Sequence, residues 1–291
     1  MLFRSKVCVL TGAGGFIGSR LKHYLERAGW RVIPWTRQPE PGSGGVAFRL
    51  GQDVDPQQFE GVTALVHGAY DFGPRRWEDI VATNVAGSQK VLEAARKAGV
   101  RSVVFISSIS AFPGSRSLYG KGKMAVEEFA RSMQAHVIRP GLVYSDKPGA
   151  IFGRLVSQVR GSRFLPIVWG GNQTQYMLHD EDLGRVVQGL LEDRISGRAE
   201  PLTLAHPHGC ELKDILTQIA QALGRRITFV PVTWQCVWVV LKSLDLAGAQ
   251  FRFPSDSLTS MVFQNEHPAF ASAATLGFEL RPFKLAPGML G

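Results

Sequence analysis

The 291-residue chain is poor in cysteine: Cys8, Cys210 and Cys236 stand far apart, with no C-x-x-C pair. That spacing excludes a disulfide scaffold and the usual structural zinc modules, and it suits a reducing compartment. Long apolar runs are missing as well. The opening residues Met1–Lys6 lead into Val7-Cys-Val-Leu10 and then directly into glycine-rich sequence, too short a run for a signal peptide or a membrane span. The later run Val237-Trp-Val-Val-Leu241 stops at Lys242, well below the ~20 apolar residues a spanning helix needs. A cytoplasmic protein without a membrane span is therefore expected. Acidic charge is also in short supply, with 24 Asp+Glu against 33 Lys+Arg and a net charge of +9. The basic residues are scattered, and no nucleic-acid-binding motif accompanies them. A phosphorylated cofactor or an anionic small-molecule substrate is the more economical partner than nucleic acid. There is no internal repeat or low-complexity tract. A composition of 45% hydrophobic and 20% charged residues excludes a disordered chain.

At ~150 residues per domain the length fits one large domain or two unequal ones. Short β-branched runs alternate with longer helical stretches through the first half. Strands are expected at Val7–Leu10, Arg31–Trp35, Val46–Leu50, Ala64–His67, Val103–Ser107 and Ala135–Arg139, and helices at Phe16–Ala28, Trp77–Ala98 and Tyr119–Ser132. This alternation implies an α/β fold, a Rossmann-type doubly wound parallel sheet. After Tyr144 the pattern loosens into helices at Phe152–Arg160, Asp182–Glu192, Leu212–Leu223 and Trp234–Leu246, and the last forty residues carry little regular signal. The expected division is a nucleotide-binding domain over 1–145, with 174–204 returning to it, and a small, mostly helical substrate cap over 146–291.

The string Thr11-Gly12-Ala13-Gly14-Gly15-Phe16-Ile17-Gly18 follows the first strand and opens the first helix. In that position glycines let the backbone turn tightly and approach a pyrophosphate, whose charge sits at the helix N-terminus. The second strand ends Trp35-Thr36-Arg37, and the first acid after it is Glu40. An acid at this strand end would hydrogen-bond the ribose 2′-hydroxyl of NAD, whereas an arginine accommodates a 2′-phosphate, so NADP is favoured over NAD. Tyr119 and Lys123 lie four residues apart and share one helix face. A phenol with a pKa near 10 is a poor acid–base group at neutral pH. A nearby ammonium is expected to favour the phenolate and bring it into range. A serine at the end of the fifth strand, among Ser107, Ser108 and Ser110, can hold a substrate oxygen at the ligand-binding edge of the sheet.

The order of these motifs resembles the extended short-chain dehydrogenase/reductases, the NAD-dependent epimerase/dehydratase family. Besides Thr11–Gly18 and Tyr119–Lys123, the resemblance includes Gly51-Gln-Asp53-Val54, Val66-His67-Gly68-Ala69, Asn84-Val-Ala-Gly87, Arg139-Pro140-Gly-Leu142-Val143-Tyr144 and His179-Asp-Glu-Asp182. It implies Tyr119 as general acid/base, Lys123 as its modulator and ribose ligand, and Ser108 as substrate-oxygen donor, with Ser107 and Ser110 in reserve. Cofactor contacts are implied for Thr11, Gly12, Gly14, Gly15, Phe16, Ile17, Gly18, Arg37, Asp53, Val54, His67, Gly68, Ala69, Asn84, Pro140, Leu142 and Val143. A homodimer through the helices at 77–98 and 119–132 is implied too.

Departures narrow the chemistry. Ile109-Ser110 stands where the sugar-nucleotide dehydratases of the family carry Asp-Glu, which argues against dehydration. Gln175 stands where many sugar-nucleotide enzymes place a diphosphate-gripping arginine, with Arg252 a candidate second one. His206-Pro-His208-Gly-Cys210 has metal-binding residue types but no zinc spacing, so no metal is expected. Trp234, Trp238 and Leu241 fall at helical spacing and read as cap core. The first expectation is an oxidoreductase or epimerase acting on a nucleoside-diphosphate sugar. The second is an NADPH-dependent reductase of a non-sugar carbonyl compound. The third is a non-catalytic NADP-binding scaffold, which the Tyr119/Lys123 pair argues against.

Overall fold

The computed structural model describes residues 6–195, 200–246, 255–286, 288 and 290. In chain order its elements begin with β1 (Val7–Thr11), α1 (Phe16–Arg27), β2 (Arg31–Thr36), β3 (Val46–Ala47) and β4 (Ala64–His67). Next come α2 (Trp77–Ile80), a π-helical turn (Val81–Val85), α3 (Ala86–Lys97), β5 (Ser102–Ile106), α4 (Leu118–Ser132) and β6 (His136–Pro140). The chain continues through β7 (Leu142–Tyr144), α5 (Ala150–Gly161), β8 (Phe164–Val168), β9 (Thr174–Gln175), β10 (Met177–His179) and α6 (Asp180–Leu191). It ends with β11 (Leu202–Leu204), β12 (Cys210–Glu211), α7 (Leu212–Ala222), β13 (Thr228–Val232), α8 (Trp234–Leu246), α9 (Ser255–Val262) and α10 (Ala273–Leu276).

Seven parallel strands form the main sheet in the order β11-β6-β5-β4-β1-β2-β3. Its strands are apolar on both sides because both faces are covered. Cys8, Leu10, Ala64, Val66, Val104 and Ile106 point to the face packed by Leu21 and Leu25 of α1 and Val186, Val187 and Leu190 of α6. The alternate residues Val7, Val9, Leu65 and Phe105 face Val91, Leu92 and Ala95 of α3 and Val126 and Ala130 of α4. The strand order reverses between β1 and β4, and that switch point opens the crevice in which doubly wound sheets bind ligands.

Three sequence expectations need adjustment. The third strand is Val46–Ala47 rather than Val46–Leu50. It lies at the sheet edge, where one further bond, from Phe48 N to Thr36 O, ends the pairing. The helix expected over Trp77–Ala98 widens into a π turn at Val81–Val85, where Asn84 turns inward to the loop after β4. The C-terminal half is helical, yet it also holds three two-stranded sheets, β7 with β10, β8 with β13 and β9 with β12. Within it, β11 and α6 join the main sheet and its covering layer.

A second core lies under α5 and α7, where the Phe152 ring, fully buried, sits 5.9 Å from both Tyr144 and Phe283. Replacing it with alanine removes a large apolar group from a site walled by aromatic rings. Phe152→Ala should therefore lower the free energy of unfolding by about 3–5 kcal/mol, read as a shift in the denaturant midpoint.

Candidate active site

Thr11 ends β1 directly beside the end of β4. Its hydroxyl oxygen accepts from the N–H groups of Gly68 and Ala69, both at 3.2 Å, and lies 2.7 Å from His67 Nδ1. With its lone pairs taken, the hydroxyl gives its own hydrogen to Nδ1, so neutral His67 carries its proton on Nε2. Burial, reinforced by the positive charge of Lys123, pushes the imidazole pKa down to about 3. Gly12 follows with φ +73°, and a Cβ there would meet Ala69 N at 2.8 Å. At Gly18 a Cβ would run into the carbonyl oxygen of Gly12. Both positions need glycine so that the turn can fold back onto α1.

The start of α1 has no side-chain cap and no acidic residue in its first turn, while Gly14 and Gly15 are exposed. The first-turn amides and the positive end of the helix dipole therefore face an open cradle. Beside it, Thr36 Oγ1 is buried without a partner among the described residues. Arg37, the next residue, is exposed, and among the described residues no hydrogen bond or ion pair engages it. These features fit a dinucleotide whose pyrophosphate rests on the glycine turn and whose ribose lies at the end of β2.

Ser108 and Tyr119 come together across the loop between β5 and α4. Ser108 lies beside the Tyr119 phenol, where it favours the ionised form, and accepts from Ser110 N at 3.1 Å. The other two serines are committed elsewhere. Ser107 bonds the Glu127 carboxylate, and Ser110 accepts from Ser260 at 2.8 Å. Lys123 is buried one helical turn below Tyr119, with Nζ 2.8 Å from the Ile106 carbonyl and 5.2 Å and 4.9 Å from the rings of Tyr70 and Phe105. Burial lowers its pKa to about 7 against the opposing pull of Glu127. Glu127 is held in turn by Arg139, whose Nε and Nη2 lie 2.9 Å and 2.5 Å from its two oxygens.

The geometry corrects one expectation about this pair. The Tyr119 phenol is raised above its ordinary value, chiefly by burial, with neighbouring Ser108 opposing the shift. Asn84 holds the loop after β4: its amide oxygen accepts from Asp71 N at 2.7 Å and its amide nitrogen donates to Asp71 O at 2.9 Å. Asp53 is exposed and pairs with Lys90 Nζ at 2.7 Å, which lowers its pKa, and Val54 is half-buried beside it. Pro140 ends β6 and Leu142 and Val143 open β7, where Ile109 N bonds Pro140 O at 2.9 Å and Leu142 N bonds Tyr176 O at 2.8 Å. Gln175 sits in β9 with its amide donating to Thr174 O, and Arg252 lies outside the described residues.

The sequence reading missed several participants. Tyr70 meets the Tyr119 ring edge-on at 4.9 Å, and Phe72, 65% exposed, stacks on it at 5.8 Å. Their aromatic pattern directly after Val66–Ala69 was the available signal. Glu127 stands four residues beyond Lys123 on the same helix face, a spacing that was also legible. Asp256 and Ser260 carried no local signal.

Residues 8–200 match the sequence pattern described as the NAD dependent epimerase/dehydratase family. A relative from Caulobacter vibrioides named ceramide reductase is 27% identical over 235 residues, covering 76% of this chain and 71% of the relative. An Escherichia coli O157:H7 relative, N-acetyl-alpha-D-glucosaminyl-diphospho-ditrans,octacis-undecaprenol 4-epimerase, is 22% identical over 75% of this chain and 73% of its own. Among solved structures, MoeE5 in complex with UDP-glucuronic acid and NAD superposes with a TM-score of 0.70 at 22% identity, covering 95% and 94% of the two chains. The crystal structure of gox2253 gives 0.71 at 20% identity over the same shares. At these identities the two structures show the same fold.

The buried neutral imidazole sets a pH dependence. An unfolded His67 takes up a proton below about 6.5 that the folded protein refuses until about 3, so stability falls as the pH drops through this window. Between pH 7 and pH 5 the wild-type protein should lose about 2 kcal/mol on this account. His67→Gln should flatten that slope in urea unfolding at the two pH values.

Proposed function

The chain belongs to the NAD dependent epimerase/dehydratase family, and on that premise we propose that it moves hydride between a nicotinamide cofactor and a carbinol or carbonyl carbon. It is an enzyme of the extended short-chain dehydrogenase/reductase type. One observation carries the proposal: the Ser108 side chain lies beside the Tyr119 phenol, one helical turn from a buried Lys123. A substrate oxygen received between the two hydroxyls would be polarised by Ser108 and would exchange its proton with Tyr119. Burial keeps Tyr119 protonated at neutral pH, the form that gives a proton to a carbonyl being reduced. Lys123, with a pKa of about 7, can hold or release a proton at Nζ in the same range and lies within one turn to reach a ribose hydroxyl. The glycine turn Gly12–Gly18 would hold the pyrophosphate, and a bound nicotinamide would supply or accept the hydride.

Arg37 supports NADP over NAD. It is exposed and uncommitted at the ribose end of the cradle, where an acid would serve NAD. For the substrate, the excess of positive charge and the fold shared with MoeE5, solved with UDP-glucose and NAD, support a nucleoside-diphosphate sugar. A second reading, reduction of an apolar carbonyl compound, draws on Phe72 and Tyr70 beside Tyr119 and on the uncharged Gln175. The likeness to a protein named ceramide reductase points the same way. Among the described residues no helix is long and apolar enough to cross a membrane. A homodimer would use the outer faces of α3 and α4, which lie side by side. A single monomeric mass by light scattering would remove that assembly.

Fluorescence titration tests the cofactor assignment. NADPH should bind at least tenfold more tightly than NADH, about 1.4 kcal/mol, and Arg37→Ala should erase the difference. Equal binding of the two would argue for an epimerase that recycles its own cofactor. Tyr119→Phe should keep cofactor binding and lower turnover by roughly 10²-fold or more. An undiminished rate in that variant would reject Tyr119 as the acid–base group.

A further inference from the structure

α9 reaches from the C-terminal half to the segment that separates Ser108 from Tyr119, and it touches that segment at three places. Ser260 Oγ donates to Ser110 Oγ at 2.8 Å. The Arg116 guanidinium lies 4.2 Å from the centre of the Phe263 ring, just beyond α9. Asp256 sets one carboxylate oxygen 2.7 Å from Leu118 N and the other 3.0 Å from Tyr119 N.

The third contact bears on the chemistry. The first N–H groups of a helix have no partner within it. In α4 the Ser117 side chain takes the N–H of Gly120 at 3.0 Å, and Asp256 takes those of Leu118 and Tyr119. A carboxylate there also balances the positive end of the helix dipole. Tyr119 is the second residue of this helix, so whatever holds the first turn also holds the phenol. The capping residue comes from 137 positions further along the chain, so the hold exists only when α9 is docked.

We propose that Asp256 is a positioning residue for the acid–base step: by gripping the first turn of α4 it fixes where the Tyr119 hydroxyl stands relative to Ser108, while Ser260 fixes the other end of the same segment. The inference rests on the reading of Tyr119 as the acid–base group. It gives the C-terminal half a part in the chemistry in addition to any contact it makes with substrate. Without Asp256 the N–H groups of Leu118 and Tyr119 would turn to water, and the turn would fray from its end. The charged and titratable groups around the Tyr70–Tyr119 pair are Asp71 from the loop after β4, Lys123 on α4 and Asp256 on α9. Arg116 lies at the far side of the same segment. Burial is what raises the Tyr119 phenol, so a first turn loosened by the loss of Asp256 admits water to it and eases its ionisation.

The test uses the full chain with Asp256→Ala, Asp256→Asn and Ser260→Ala. Hydrogen exchange is followed by mass spectrometry, and ultraviolet difference titration isolates the Tyr119 phenol by subtracting the Tyr119→Phe spectrum. In Asp256→Ala the amides at 118–120 should exchange at least tenfold faster while those of α3 keep their protection. Asp256→Asn, which retains a carbonyl acceptor, should restore part of that protection and ionise Tyr119 at a lower pH than the wild type. Should Asp256→Ala not fold, the asparagine variant decides. Unchanged protection at 118–120, or an unchanged ionisation of Tyr119, would overturn the positioning role. Titration of the wild type with NADPH and NADH keeps the two readings apart. Cofactor binding with unchanged protection in the variants rejects Asp256 alone. Lost protection without any cofactor binding rejects the catalytic reading and the positioning role with it.

Discussion

Two titratable side chains one helical turn apart, buried Lys123 and half-buried Tyr119, lie beside the end of β5, and much of the surrounding structure answers to their desolvation. Burial disfavours both charged forms, raising the phenol and lowering the ammonium to about 7. Each needs polar company to remain in place. Tyr119 has Ser108, and Lys123 has the Ile106 carbonyl together with the faces of Tyr70 and Phe105. The opposing charge of Glu127 keeps the lysine from drifting further toward neutrality. Glu127 is itself buried and would be costly alone, so Arg139 grips both its oxygens and Ser107 adds a hydrogen bond.

The same burial explains His67. Its imidazole lies within the Coulombic reach of Lys123, stacks 5.8 Å from Phe105 and is tied to the Thr11 hydroxyl. One hydroxyl therefore joins the ends of β1 and β4 at the switch point of the sheet. The glycine turn and the Tyr119–Lys123 pair are thus parts of one packed layer. The C-terminal half closes it from the other side. Asp256 holds the start of α4, and Arg281 reaches Asp182 and Glu181 at the start of α6.

Local features of the site were legible in the sequence. The glycine turn could be read because its requirement is backbone geometry within a few residues of a strand and a helix. The spacing of Tyr119 and Lys123 could be read because helical periodicity places them on one face. The direction of the lysine could not, since it follows from the carbonyl at the end of β5 and from two aromatic rings. The residues alone left three serines at the end of β5 open, and only the family resemblance favoured Ser108. Partners contributed by other elements, Glu127 for Ser107 and Ser260 for Ser110, separate them. The two hydrogen bonds that tie the Asn84 amide to the Asp71 backbone could not be read either, because they join a helix to a loop thirteen residues before it.

By itself the sequence determined the alternation of strands and helices, the Rossmann-type order of the first half and the spacing of Tyr119 and Lys123. These rest on short-range periodicity, which covalent spacing fixes. The tertiary structure alone decided which face of each strand meets which helix, because strands buried on both sides show no polar alternation to read. It alone paired β7 with β10, β8 with β13 and β9 with β12, strands of two to five residues whose partners lie far along the chain. It also decided the protonation bias of Tyr119 and Lys123 and the cap that Asp256 places on α4. Desolvation and long-range hydrogen bonds depend on which surfaces meet, and that is settled only when the chain folds.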